Sequence, residues 1–128
     1  MAKVVALQAK NVMLDRYANI GGPPAHPQAM SVDDSTDAFG PSTTTLGSPA
    51  NLAAAGFDSV TRSGQTLTFV ATFATGVANF IHKRICVHNA APGAVTGVSA
   101  TFQFGHDQQS IQKNNQTQLT YTVQLVQG

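Results

Sequence analysis

The chain has no tryptophan, a single cysteine (Cys86), only two tyrosines, and a charged fraction of 10% over 128 residues. One cysteine excludes a disulfide within the chain, so no covalent staple contributes to its stability. Charged side chains make up roughly 25% of an ordinary soluble domain. Here the surface must be built from Thr, Ser, Asn and Gln instead. A formal net charge of +1 offers no electrostatic footprint for nucleic acid or an anionic membrane. No run approaches the ~18 apolar residues of a membrane span. The opening MAKVVALQAKN lacks an apolar stretch long enough for a secretory signal before Lys10 and Asp15. The expectation is a soluble chain made in a cytosol, without nucleic acid or membrane as partner. Its length is that of one domain, residues 1–128, able to bury one modest core.

What the sequence does contain is alternation. Across residues 64–89, Leu67, Phe69, Ala71 and Phe73 alternate with Thr66, Thr68, Val70 and Thr72, the period-2 signature of a strand with one buried face. Thr75-Gly76 reads as a turn, and a second strand is expected over about residues 79–88, making a β-hairpin. In that second strand Ile81, Ile85 and Val87 fall on one side and Phe80, His82, Arg84, Cys86 and His88 on the other. Further strands are expected at Met30-Ser31-Val32, at 57–62, at 98–104 with Ala100, Phe102 and Phe104 inward, and at the end, where Leu119, Tyr121, Val123 and Leu125 alternate with Thr120, Thr122 and Gln124. Ser63-Gly64, residues 89–93, Gly105-His106-Asp107 and Lys113-Asn114-Asn115 read as breaks. Ser110 to Gln112 reads as a short extended piece. Five to seven antiparallel strands with turns at such intervals imply an all-β antiparallel sandwich, jelly-roll-like, over residues 51–128.

The first 50 residues read differently. Leu7, Leu14 and Tyr17 fit one face of a helix over about residues 5–18, closed by Gly21-Gly22-Pro23-Pro24. An extended arm is the competing reading, because Val4 and Val5 favour strand. Residues 33–49 are rich in Asp, Ser, Thr, Gly and Pro and imply a long loop anchored by Phe39 and Leu46 and ordered by a neighbouring subunit.

Few residues suggest chemistry. His82, Cys86 and His88 share strand parity and could be read as zinc ligands, but Arg84 interrupts them and no fourth ligand is signalled. Cys86 and His88 as nucleophile and base point the same way without an oxyanion-hole loop. Asp33, Asp34 and Asp37 lack the Gly and closing Glu of a calcium loop. Lys83 and Arg84 suit a salt bridge at a protein interface better than a nucleic-acid footprint. The expectation is no catalytic residue, no cofactor, no metal, and no enzyme.

Four stretches together resemble a family of small structural proteins of tailed-bacteriophage virions. They are LQAKNVMLDRYANI (7–20), the passage from Met30-Ser31-Val32 to Thr45-Leu46-Gly47, the run over 64–80 with 87–90, and 113–126. Thr75-Gly76-Val77-Ala78-Asn79-Phe80 is the most specific part. The chain departs from the family pattern at Arg84, where an acidic residue is usual, and at Asp33-Asp34-Ser35. The resemblance implies a non-enzymatic virion component, foremost a capsid decoration (cement) protein. Such a protein would seat across joints between major capsid protein subunits, as a homotrimer or other homo-oligomer. Leu7, Leu14, Tyr17, Phe39, Leu46, Lys83 and Arg84 are the expected contacts. A tail-fibre, baseplate or tail-tip module is the alternative. A carbohydrate-binding module is disfavoured by the absence of tryptophan.

Overall fold

The structure is a computed structural model that describes residues 3–5, 26–37, 40, 43, 45–47, 49–96 and 104–126, with backbone alone at 3–5, 104 and 106–109. The strands in chain order are β1 (Lys3–Val5), β2 (Ala29–Asp33), β3 (Leu52–Gly56), β4 (Ser59–Ser63), β5 (Thr66–Phe73), β6 (Ile81–His88), β7 (Phe104–Gln112) and β8 (Leu119–Val126). They form two antiparallel sheets, one in the order β1-β7-β6-β2-β3 and the other β4-β5-β8. The expected all-β sandwich is the architecture found.

Between the sheets, Met30 and Val32 of β2 and Ile85 and Val87 of β6 meet Phe69, Ala71 and Phe73 of β5 and Val123 of β8. Of these, Phe69, Ala71 and Phe73 are the residues that alternation placed on a buried face. Fully burying side chains of this size stabilises by roughly 1.5–3 kcal/mol each for the larger ones. Phe57 adds its ring to Phe69, with centroids 5.2 Å apart.

The run over residues 64–89 is not a hairpin. β5 pairs with β4 and β8, whereas β6 pairs with β2 and β7, so the chain crosses from one sheet to the other between them. The physical reason is that both strands carry an apolar face. In opposite sheets those faces pack on each other across the ~10 Å between layers; as neighbours in one sheet they would lie side by side, each still needing a cover. The turn at Thr75-Gly76 forms, with Val77 N–H donating to the Ala74 carbonyl at 3.1 Å. Ala78 then takes a left-handed φ of 58° that steers the chain onward. The true hairpin is β4–β5, where Gly64 supplies the positive φ of 58° required at the first loop position.

Three further expectations need correction. β3 was not foreseen, because Leu52-Ala53-Ala54-Ala55 offers no apolar-polar contrast to read. The chain breaks at Phe57-Asp58, so the strand expected over 57–62 begins only at Ser59. Gly105-His106-Asp107, read as a break, lies inside β7. Gly105 is buried and pairs with Cys86, so the ladder carries the strand through a residue that local propensity reads as a breaker. The helix expected over 5–18 starts on Val5, which is in β1; the rest of it, and residues 98–103, lie outside the described residues.

Candidate functional site

The β6–β7 ladder is irregular at one place: His82 faces Ile111 and Arg84 faces Asp107, leaving Lys83 alone against residues 108–110. This irregularity separates the residues that parity had placed on one face. His82 turns into the space between the sheets, with its ring 6.0 Å from Phe73 and 5.8 Å from Tyr121. Arg84, Cys86 and His88 lie on the opposite, outer face of the larger sheet, where they are also buried.

That outer face is covered by the chain itself. Leu46 (1% exposed) and Val95 pack on Ala29 and Cys86 to form a second small core. Beside it, the Arg84 guanidinium donates from Nε to Asp33 Oδ1 at 2.8 Å and from Nη2 to Asp33 Oδ2 at 3.1 Å. The same side chain donates to the carbonyls of Leu46 at 2.8 Å and Asp37 at 3.2 Å. Burial pushes the Asp33 carboxyl up from its ordinary range, and the hydrogen bonds from Arg84 and the Ser35 N–H only partly counter it. Ser31 Oγ and His88 Nε2 are 2.7 Å apart and both residues are fully buried.

The loop after β2 is fixed by intrachain bonds at its start. Asp34 accepts from Asn51 Nδ2 at 2.7 Å and from Asn51 N–H at 3.0 Å. Burial acts to raise the Asp34 carboxyl, but these bonds outweigh it and leave it below the ordinary carboxylate range. Among the described residues no three metal-ligating side chains are grouped.

Of the expected contact residues, Leu46 and Arg84 are inside the folded chain, holding the loop to the sheet, and are not available as surface contacts. Lys83 is half-buried on β6. Leu7, Leu14, Tyr17 and Phe39 lie outside the described residues.

The surface best suited to contact is the outer face of the three-stranded sheet. Alternation and register place Ser59, Thr61 and Ser63 of β4 beside Thr66, Thr68, Val70 and Thr72 of β5, and these beside Thr120, Thr122, Gln124 and Val126 of β8. Thr61, Thr68 and Gln124 form one row across all three strands. With strands ~4.8 Å apart and like-facing residues ~6.7 Å apart along each, the hydroxyls stand on a regular grid. None of these side chains is charged. At the margin, the Asp58 carboxylate accepts from Thr72 Oγ1 at 2.6 Å. Val126, 63% exposed, adds an apolar corner. The alternate threonines were readable as outward-facing, but only the pairing of β4 and β8 on either side of β5 assembles them into one surface.

Comparison with known protein families and with characterised proteins finds no match to this chain.

Proposed function

We propose that this protein is a structural component of a tailed-phage virion, a capsid decoration protein that seats on the joints between coat subunits and stabilises the shell. The observation that supports this reading best is the neutral hydroxyl and amide face of the β4-β5-β8 sheet, with Thr61, Thr68, Thr122 and Gln124 near its middle. Such a face desolvates without stranding charges, and each hydroxyl can donate or accept to match whatever backbone or side-chain group it meets. The sequence resemblance to small virion proteins points the same way. Its most specific passage, residues 75–80, is the crossing between the sheets.

A protein bound at many equivalent joints adds RT ln(1 + [L]/Kd) per site to the stability of the assembled shell. Copies on local symmetry axes would be arranged as trimers or other closed oligomers. The test is binding of the purified protein to tailless phage heads, followed by the temperature at which those heads disrupt. Saturable binding with a raised disruption temperature is the expected result. Binding to tails and none to heads would move the protein to the tail.

A further inference from the structure

We propose that His82 and Lys113 form a proton-operated latch on the sheet-crossing loop at residues 74–80, closed while His82 is neutral and released when its ring takes up a proton. The inference does not depend on what the protein binds.

The loop is held from beneath at four points by these two residues. Lys113 is fully buried, and its ammonium donates to Asn79 Oδ1 at 2.9 Å and to the Thr75 carbonyl at 3.4 Å. Its remaining contact is the Asn114 carbonyl at 3.4 Å. The Lys113 backbone N–H donates to the Phe80 carbonyl at 3.1 Å. His82 completes the set, with Nε2 2.8 Å from the Ala78 carbonyl.

A carbonyl can only accept, so Nε2 carries a hydrogen. In the neutral ring Nδ1 is then the acceptor, and the Tyr121 hydroxyl, 2.7 Å away, donates to it. A second proton goes onto Nδ1 and meets that hydroxyl hydrogen head-on. Tyr121 has to turn its hydroxyl round, and a cationic ring then stands buried in the same end of the sandwich as the Lys113 ammonium.

Among the described residues, His82 pairs with Ile111 of β7 in the ladder and is faced by groups from several other elements. β5 contributes Phe73, the loop contributes the Ala78 carbonyl and Phe80, β8 contributes Tyr121, and the turn before β8 contributes Lys113. Lys113 bears on the ring with a charge of the same sign. Burial, and after it Lys113, hold the imidazole below its ordinary range against the pull of the Ala78 carbonyl.

The loop itself is biased to leave. Ala78 sits at a φ of 58°, a conformation disfavoured for an L-residue, which persists only where its surroundings enforce it. Opening relaxes Ala78 and uncovers Phe80. Val77 (44% exposed), Ile81 (37%) and Ile111 (39%) already lie on or beside the loop, so release enlarges one apolar end of the molecule.

Amide hydrogen exchange on the full chain, corrected for intrinsic pH dependence, tests the latch. Between about pH 7.5 and about pH 5, the opening equilibrium at residues 74–80 should rise about tenfold or more, with a smaller rise at Phe69 and Val123. His82→Gln keeps a donor for the Ala78 carbonyl and cannot titrate, so its loop exchange should be flat. Where that variant does not fold, ring nitrogen shifts of the wild-type histidines serve instead, and the loop transition must coincide with titration of His82. Flat loop exchange in the wild type overturns the proposal. So does an equal rise in His82→Gln, or a loop transition that follows another histidine.

Discussion

Arg84 stands directly opposite Asp33 across the β2–β6 ladder and grips both of its carboxylate oxygens, at 2.8 and 3.1 Å. Removing one partner of such a buried pair leaves the other uncompensated. Arg84→Met should cost about 3–5 kcal/mol in urea unfolding, while Arg84→Met combined with Asp33→Leu should recover much of that loss. A double variant no more stable than Arg84→Met alone would show that the pair is not the source of the cost.

Phe73 is fully buried and is the point where the β5 face meets both His82 and Tyr121. Phe73→Ala should destabilise by about 3–5 kcal/mol through lost transfer energy and a cavity. Val60 on the edge strand β4 is 47% exposed, and Val60→Ala should stay within about 0.5 kcal/mol of wild type. Comparing urea midpoints of the two variants checks that the core lies on the β5 side of that ladder.

Ala78→Gly should raise stability by up to about 1 kcal/mol, because glycine takes a positive φ without steric cost. Ala78→Val should lower it. A loss for the glycine variant in thermal unfolding would count against the left-handed crossing.

His82 also shapes stability against pH. Its folded-state value is depressed below the ordinary one near 6.5, chiefly by burial. The unfolded chain therefore binds the proton more readily. The contribution is complete above the ordinary value and is lost as pH falls from there through the folded-state value. Urea midpoints measured in steps below pH 7 should fall less steeply in His82→Gln than in wild type, and equal slopes would exclude the effect.

On the outer face, Thr68→Glu and Thr122→Glu place carboxylates in the middle of the hydroxyl grid without touching the core. Stability should fall by no more than about 1 kcal/mol each. Binding to phage heads should be lost in the double variant. Undiminished binding would move the contact to another surface.

The sandwich was legible because β5 and β8 each hide one face, and Phe69, Ala71, Phe73 and Val123 announce it by alternating with polar residues. Pairing was not legible. Thr75-Gly76 makes the same turn whether the chain folds back or crosses over, and only the need of two apolar faces for each other decides between them. Alternation also failed at Lys83, since a ladder irregularity depends on the partner strand and leaves no local mark. Leu46 was rightly read as a loop anchor, yet an anchor buried to 1% exposure cannot also be an external contact. Lys113 looked like a turn residue; its burial follows from Thr75 and Asn79, far away in sequence.

The crossing between β5 and β6 governs how the chain can reach this state. Among the described strands only β4–β5 is a local ladder; β5 must otherwise wait for β8, with Phe73 meeting Leu119 and Thr66 meeting Val126, and β2 must wait for β6. Loop-closure entropy is lost before those contacts repay it, which places folding in the ms–s range typical of such topologies. On the ribosome, the apolar face of β5 is finished before β6, which packs on it, and β8, which pairs with it, have been added. During that interval the nascent chain is at its most prone to aggregate, and a chaperone that shields Phe69 and Phe73 would raise the yield of folded protein.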